Sequence, residues 1–373
     1  MIYLDNAATT FPKPRSVIKE SINCIKNYCA NPGRSSHSLS IKTAEKIFET
    51  RERIAEFLGI GDKCDKIVFT ENATYALNIA IKGTILPKTH VLISDIEHNS
   101  VIRPIFSLKK KMGIEYTCFD SSNPEASIRA SITPDTRYIV STLSSNVTGK
   151  EIPIELLSRL AREYNLSLIV DASQLIGHKK IDISKTPCDV LCAPGHKALF
   201  GLAGCGFAVF NDNLYRDTLI EGGSGNQSFS MSMPDRLPER FEAGTLPSPS
   251  IISLNEGIKF IEKVSLENIN EKVNKLSEEL YVRLSSLSFV STYGYGNGVI
   301  PFNVGALPSE IVAQELNRDG ICTRAGLHCA PSAHKLLGTL ENGAVRASLS
   351  YFNTFGELDL LYKSVKEIYK KYC

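Results

Sequence analysis

The sequence contains no run approaching the roughly 18 consecutive apolar residues that a membrane-spanning helix needs, so no transmembrane segment and no membrane partner are expected. It also lacks an excess of either charge. Its 42 basic and 40 acidic residues leave a net charge of +2, and the longest basic run is Lys109, Lys110 and Lys111. Such a triplet reads as a solvated helix face, and without a basic patch nucleic acid is not expected as a partner. CxxC pairs are missing as well. The ten cysteines, among them Cys24, Cys64, Cys118, Cys205 and Cys373, are scattered. That scatter speaks against a zinc site or a disulfide framework, favours reduced thiols, and leaves most of them to be read as small core hydrophobes. The opening MIYLDNAATT has neither a basic n-region nor an apolar core, so a cytoplasmic location is expected.

What is present is an ordinary globular composition, 43% hydrophobic and 22% charged, in a chain of 373 residues. That length predicts two domains, each able to bury a core. From about Ser16 to Phe210 the hydrophobic period keeps switching between helix and strand. Helices are expected near Ala44–Leu58, Thr74–Lys82, Asn99–Lys111 and Ile154–Tyr164. Strands are expected at Lys66–Thr70, His90–Ser94, Tyr138–Thr142, Ser167–Val170, Val190–Cys192 and Gly206–Phe210. Strands separated by helices imply an α/β fold with a mostly parallel sheet covered on both faces. Glu221–Ser250, rich in Gly, Ser, Pro and Met, reads as a long loop, and a loop of that length is usually functional or disordered. Beyond it come a helical stretch over Ile251–Leu287 with one or two breaks, short strands, and helices near Ser309–Asp319 and Phe355–Tyr369, assigned to a smaller second domain.

Three features carry chemistry. In LSLIVDASQ an apolar strand ends at Asp171, placing a carboxylate at the carboxyl edge of the sheet, where ligands of open α/β folds bind. Twenty-six residues later a short strand leads into Pro194-Gly195-His196-Lys197, a turn that aims a lysine at the same edge. An Asp after a strand is also an ordinary turn former. Together, however, an amine able to form a Schiff base and a carboxylate able to keep a pyridine nitrogen protonated match the needs of pyridoxal 5'-phosphate (PLP). The third feature is KIVFT running into Glu71-Asn72-Ala73-Thr74 at a helix start. Free backbone N–H groups and the Thr74 hydroxyl there suit a phosphate, although helix capping by Asn72 or Thr74 accounts for the same residues.

Nine segments in order resemble the cysteine desulfurases of the class V aminotransferase family. They are YLDNAATT (3–10), TENATYALN (70–78), EHNS (97–100), SNVTG (145–149), DASQ (171–174), GHK (195–197), FEAGT (241–245), RAGLHCAP (324–331) and VRASLSYFNT (345–354). The resemblance implies the PLP-dependent transferase fold type I. Its large domain, over 15–245, would hold a mostly parallel seven-stranded sheet, and 1–14 with 246–373 would form a smaller α+β domain.

Position by position, the resemblance implies that Lys197 binds the cofactor covalently, Asp171 pairs with its ring nitrogen, Gln174 bonds its phenolate oxygen and His98 stacks on its ring. Ala73, Thr74 and His196 would hold the phosphate, and Thr245 would reach it from the other subunit of a homodimer. Asn146 would lie beside the substrate and Arg346 would clamp its carboxylate, for which a planar guanidinium fork is suited. Cys329 would accept sulfur from L-cysteine, His328 would tune its ionisation, and a sulfur-acceptor protein would take the persulfide onward to iron–sulfur cluster or thio-cofactor assembly. No metal is implied.

Only sixteen residues separate Cys329 from Arg346, a short loop of the group II type, so acceptors are expected to come to the pocket. Two positions depart from the family text: Pro194 replaces a frequent serine, and GLAGCG (201–206) replaces GPxGxG. Selenocysteine lyase, another class V aminotransferase or lyase, and a non-catalytic sulfur-relay scaffold remain open on the same scaffold, because a fold does not set a reaction.

Overall fold

The computed structural model describes residues 1–32, 35–211 and 217–372, which leaves Cys373 outside the described residues. β1 (Ile2–Tyr3) is followed by helices α1 (Arg15–Asn27) and α2 (Ser38–Phe57), which lead into β2 (Ile67–Thr70). α3 (Ala73–Thr84), β3 (His90–Ser94), α4 (Asn99–Met112), β4 (Glu115–Phe119), α5 (Pro124–Ser131) and β5 (Thr136–Thr142) come next. α6 (Ile154–Glu163) precedes three strands in a row, β6 (Ser167–Asp171), β7 (Val190–Pro194) and β8 (Gly206–Phe210). No helix or strand interrupts the described residues between 217 and 247, in keeping with the expected loop.

After the loop come α7 (Ser248–Val264) and α8 (Leu266–Ser285), then β9 (Val290–Thr292), β10 (Val299–Val304), α9 (Ser309–Arg318) and β11 (Ile321–Cys322). The chain closes with α10 (Pro331–Leu336), β12 (Val345–Ser348) and α11 (Phe355–Tyr372). The expected long helical stretch breaks once, at Ser265, whose φ of 73° ends α7 while its hydroxyl accepts from the Asn268 amide to start α8.

The central sheet has seven strands in the order β2-β8-β7-β6-β5-β3-β4. β4, β3, β5, β6 and β7 run parallel, and β8 is antiparallel to both of its neighbours. The parallel strands β3, β6 and β7 are apolar almost throughout because helices cover both faces of the sheet. β4 was not anticipated. It is the edge strand and buries one residue in five, so neither an apolar run nor an alternation marks it.

A second core lies around the antiparallel sheet β12-β10-β9 and the helices α8, α9 and α11, and Leu4 from the N-terminal segment packs into it. Placing the chain start between the two sheets matters for the site. Asp5 bridges to Ser348, while the Thr10 amide and hydroxyl bind His196 O and Lys197 O.

Candidate active site

The carboxyl ends of β5, β6 and β7 open onto a cleft of about 500 Å³, its mouth included. Asn72, Ala73, Thr74, His98, Asn146, Asp171, Gln174, Pro194, His196 and Lys197 all line it. Of the site residues anticipated from the sequence, Thr245, His328, Cys329 and Arg346 lie outside that lining. Cys329 stands on an adjoining cavity that shares Thr74, His98 and Ser100 with the cleft. Arg346 is buried in β12, and Thr245 is exposed on a separate groove with Phe69, Tyr75 and Phe241.

Each wall has a local cause. Asn72 caps α3 by accepting from the Tyr75 amide, which leaves the first turn's N–H groups facing the cleft. β8 approaches that turn so closely that a Cβ on Gly206 would lie 2.5 Å from the Asn72 carbonyl carbon, so only glycine fits there. His98 caps α4 through Nδ1, which accepts from the Ser100 amide at 3.1 Å, so the remaining ring proton sits on Nε2. The Ser100 hydroxyl, in turn, lies 3.0 Å from that of Thr74. Burial pushes the His98 pKa down to about 4, against the opposing pull of Asp171, so the ring is neutral.

Asp171 is 3% exposed and accepts from the Ser173 amide at 2.9 Å. Lys197 follows β7 in a turn held from the N-terminal segment. The Thr9 hydroxyl, the Thr10 amide and Lys13 Nζ all donate to His196 O, the last at 2.8 Å. Burial lowers the Lys197 pKa to about 8, with Asp171 opposing. Lys13, equally a part of this clamp, was not singled out from the sequence, where a lysine between two prolines reads as a turn.

The arrangement fits PLP on observations of this chain alone. A dehydrated lysine, a buried carboxylate, a neutral histidine and a helix N-terminus face one space, and His196 Nδ1 is buried there without a partner. Pro194 takes a lining position without offering a hydroxyl. The Gln174 amide donates to Ala7 O at 3.1 Å, which leaves its carbonyl oxygen uncommitted.

Arg346 is 1% exposed and bound to Asp5 Oδ1 at 2.8 Å and Asn146 O at 2.9 Å, with its Nε unpartnered. The Asp5 pairing could not be read from the sequence, because the two residues are 341 positions apart. Cys329 is exposed, and the group beside its sulfur is Arg324, at 3.9 Å. That corrects the expectation for His328, whose two ring nitrogens are engaged with His334 and Arg324 O.

A seven-stranded, mostly parallel sheet with a lysine and an aspartate at its carboxyl edge, facing a helix N-terminus, defines the PLP-dependent transferases of fold type I. Residues 2–361 match the model of the family described as aminotransferase class-V, and the chain belongs to that family. A probable cysteine desulfurase of Methanothermobacter thermautotrophicus is 32% identical, covering 98% of this chain and 94% of the relative. Another probable cysteine desulfurase, from Pyrococcus abyssi, is 31% identical over 99% and 94%. Among solved structures, the apo form of a cysteine desulfurase from Thermococcus onnurineus superposes with a TM-score of 0.89 at 29% identity, covering 99% of this chain and 95% of that one. Among the described residues no helix is long and apolar enough to cross a membrane, and no cluster of potential metal ligands occurs.

Proposed function

We propose that this protein is a PLP-dependent cysteine desulfurase that converts L-cysteine to L-alanine and leaves the sulfur as a persulfide on Cys329. The observation that carries the reading is the cavity junction. An exposed thiol beside a guanidinium borders the same Thr74, His98 and Ser100 that line the lysine cleft. A plain aminotransferase has no use for a thiol at that place.

In this reading Lys197 binds the cofactor aldehyde, Asp171 its ring nitrogen, His98 its ring face, and Ala73, Thr74 and His196 its phosphate. PLP bound there supplies a conjugated ring that takes up the electron pair released at the substrate Cα. The Arg346 guanidinium, with its free Nε, holds the substrate carboxylate next to Asn146. Once the substrate amine has displaced it from the cofactor aldehyde, Lys197 Nζ, whose pKa desolvation lowers to about 8, would be neutral often enough near neutral pH to accept the Cα proton. The Cys329 thiolate then attacks the substrate sulfur. The new S–S bond forms as the Cβ–S bond breaks, and the carbon skeleton keeps the bonding pair and takes up protons to become alanine. Arg324 provides positive charge beside the attacking sulfur.

The exposed Thr245 completes the phosphate site of a second subunit, which makes the working form a homodimer with a large 15–245 domain and a smaller domain of 1–14 and 246–373 in each copy. The sulfur acceptor, a protein or a small thiol, enters the cavity at Cys329, and the protein acts in the cytoplasm.

The test is to incubate PLP-loaded protein with L-cysteine and a reductant and to measure alanine and sulfide together, beside Cys329→Ala. Equal amounts from the wild type, lost in the variant while its cofactor absorbance persists, are expected. No alanine from the wild type refutes the reading. Much faster release of selenide from selenocysteine would then identify a selenocysteine lyase, a keto acid product a transaminase, and the absence of both colour and product a scaffold.

A further inference from the structure

The backbone at Cys329 is strained at two consecutive positions. His328 has φ 50° and Cys329 φ 56°, in the left-handed region that disfavours any residue with a Cβ. Such a pair persists only where the surroundings hold it. Two holds come from the lysine side of the cleft: Asn146 Nδ2 donates to His328 O at 2.7 Å, and the Asn99 amide donates to Cys329 O at 2.8 Å. The third hold is the His328 ring, which is 3% exposed. Its Nε2 lies 3.2 Å from Arg324 O, and its Nδ1 lies 3.0 Å from Nε2 of the fully buried His334. His334 Nδ1 is 2.8 Å from the Thr339 hydroxyl.

One arrangement of protons satisfies all three contacts. A carbonyl oxygen only accepts, so His328 Nε2 carries a proton. Burial, reinforced by the charge of Arg346, pushes the pKa of His328 down to about 3 and that of His334 to about 4, so both rings are neutral and each has a single N–H. His328 Nδ1 is therefore an acceptor, and His334 Nε2 must donate to it. His334 Nδ1 then accepts in turn, and the Thr339 hydroxyl donates. The chain of donors runs from Thr339 through His334 and His328 to Arg324 O. It ends on the residue whose guanidinium lies beside the Cys329 sulfur. With both of its nitrogens committed, His328 cannot take the proton of its neighbour's thiol.

We propose that His334 is a positioning residue for the nucleophile: the Thr339–His334–His328 relay fixes the strained turn so that Cys329 faces the cavity adjoining the cleft, beside Arg324. The sequence hides this role, because PSAHKL reads as an ordinary helix start. The inference rests on the reading of Cys329 as the sulfur-accepting thiol.

The experiment uses the PLP-loaded enzyme as wild type, His334→Leu and His334→Gln. The glutamine amide can donate to His328 Nδ1 where leucine cannot. Expected for His334→Leu is a kcat for alanine formation about ten-fold lower, the scale of a misplaced reacting group, with KM for cysteine and cofactor absorbance within about two-fold of wild type. His334→Gln should recover most of that loss. Leucine and glutamine variants with equal kcat, whether both high or both low, overturn the proposal.

Imidazole 15N shifts of the wild type give a reading independent of the variants' folding. Both rings should be neutral Nε2–H tautomers from pH 5 to 8, and an Nδ1–H tautomer or a titration in that range overturns the relay. A wild type that makes no alanine yet shows these tautomers would refute the desulfurase reading while leaving the relay in place.

Discussion

The turn that carries Lys197 and the loop that carries Cys329 border two adjoining cavities that share Thr74, His98 and Ser100, yet the chain builds them in opposite ways. Lys197 is half-buried, its backbone gripped by Thr10 and, through His196 O, by Thr9 and Lys13. Cys329 is exposed and is held through its backbone, the ring of His328 and the Arg324 guanidinium beside its sulfur. Burial explains the difference, because it moves amines and thiols in opposite directions. Loss of water brings the Lys197 pKa down towards neutrality, where the amine can exchange a proton. The same loss pushes the Cys188 thiol up to about 12 and raises Cys192 and Cys205 as well. A buried thiol in this protein is therefore inert, and a nucleophilic one has to be kept at the surface.

The sharpest way to break that comparison is to remove each group in turn. Lys197→Ala should lose both the cofactor absorbance and turnover, with alanine formation falling by about 10³-fold or more because attachment and proton transfer fail together. Cys329→Ala should lose turnover to a similar extent with the absorbance intact. Spectra and alanine assays on the two variants check this. If Lys197→Ala keeps a wild-type spectrum, the buried half of the comparison is misassigned.

How much of this could be read from the chain depended on whether a residue's surroundings were local. Asp171 and Lys197 were legible because one ends an apolar strand and the other sits in the turn just after one, and helix–strand alternation predicted the parallel sheet. Strand β4 was hidden because an edge strand buries too little to leave a pattern. The Asp5–Arg346 pair and the Lys13 clamp join the N-terminal segment to remote strands, and no spacing encodes such contacts. His328 misled by adjacency. A neighbour in sequence was expected to serve the thiol, but a left-handed turn sends its ring the other way.

Glu97 sharpens the picture of the buried half. It lies next to His98, is fully buried, and accepts through Oε1 from Ser94 Oγ and, at 2.7 Å, from the amide of Thr142, the residue in register with Asp171. Its Oε2 has no partner. Burial raises its pKa from 4.5 to about 8, so it folds as a neutral acid. A folded-state pKa above the unfolded one contributes stability that is fully present below pH 4.5 and is lost as pH rises through 8. Glu97→Gln cannot ionise, so its melting temperature should gain on the wild type between pH 6 and pH 9, by roughly 2–4 °C. A difference that stays constant with pH would mean that Glu97 is already ionised and that this side of the cleft is wet.

The smallest effect is expected at Cys205, a thiol close in sequence to Lys197 and the natural rival to Cys329. It is fully buried, and its thiol makes a weak hydrogen bond to Gly206 O at 3.8 Å. Burial raises its pKa, so it offers no thiolate at neutral pH. Removing its sulfur takes away one buried atom and should cost about 1 kcal/mol of stability through lost packing, towards the low end of large-to-small core substitutions. Cys205→Ala should therefore melt slightly lower while forming alanine and sulfide at the wild-type rate. A fall in sulfide with alanine maintained would instead show that sulfur passes through Cys205, and the division between an inert interior and a reactive surface would fail at that residue.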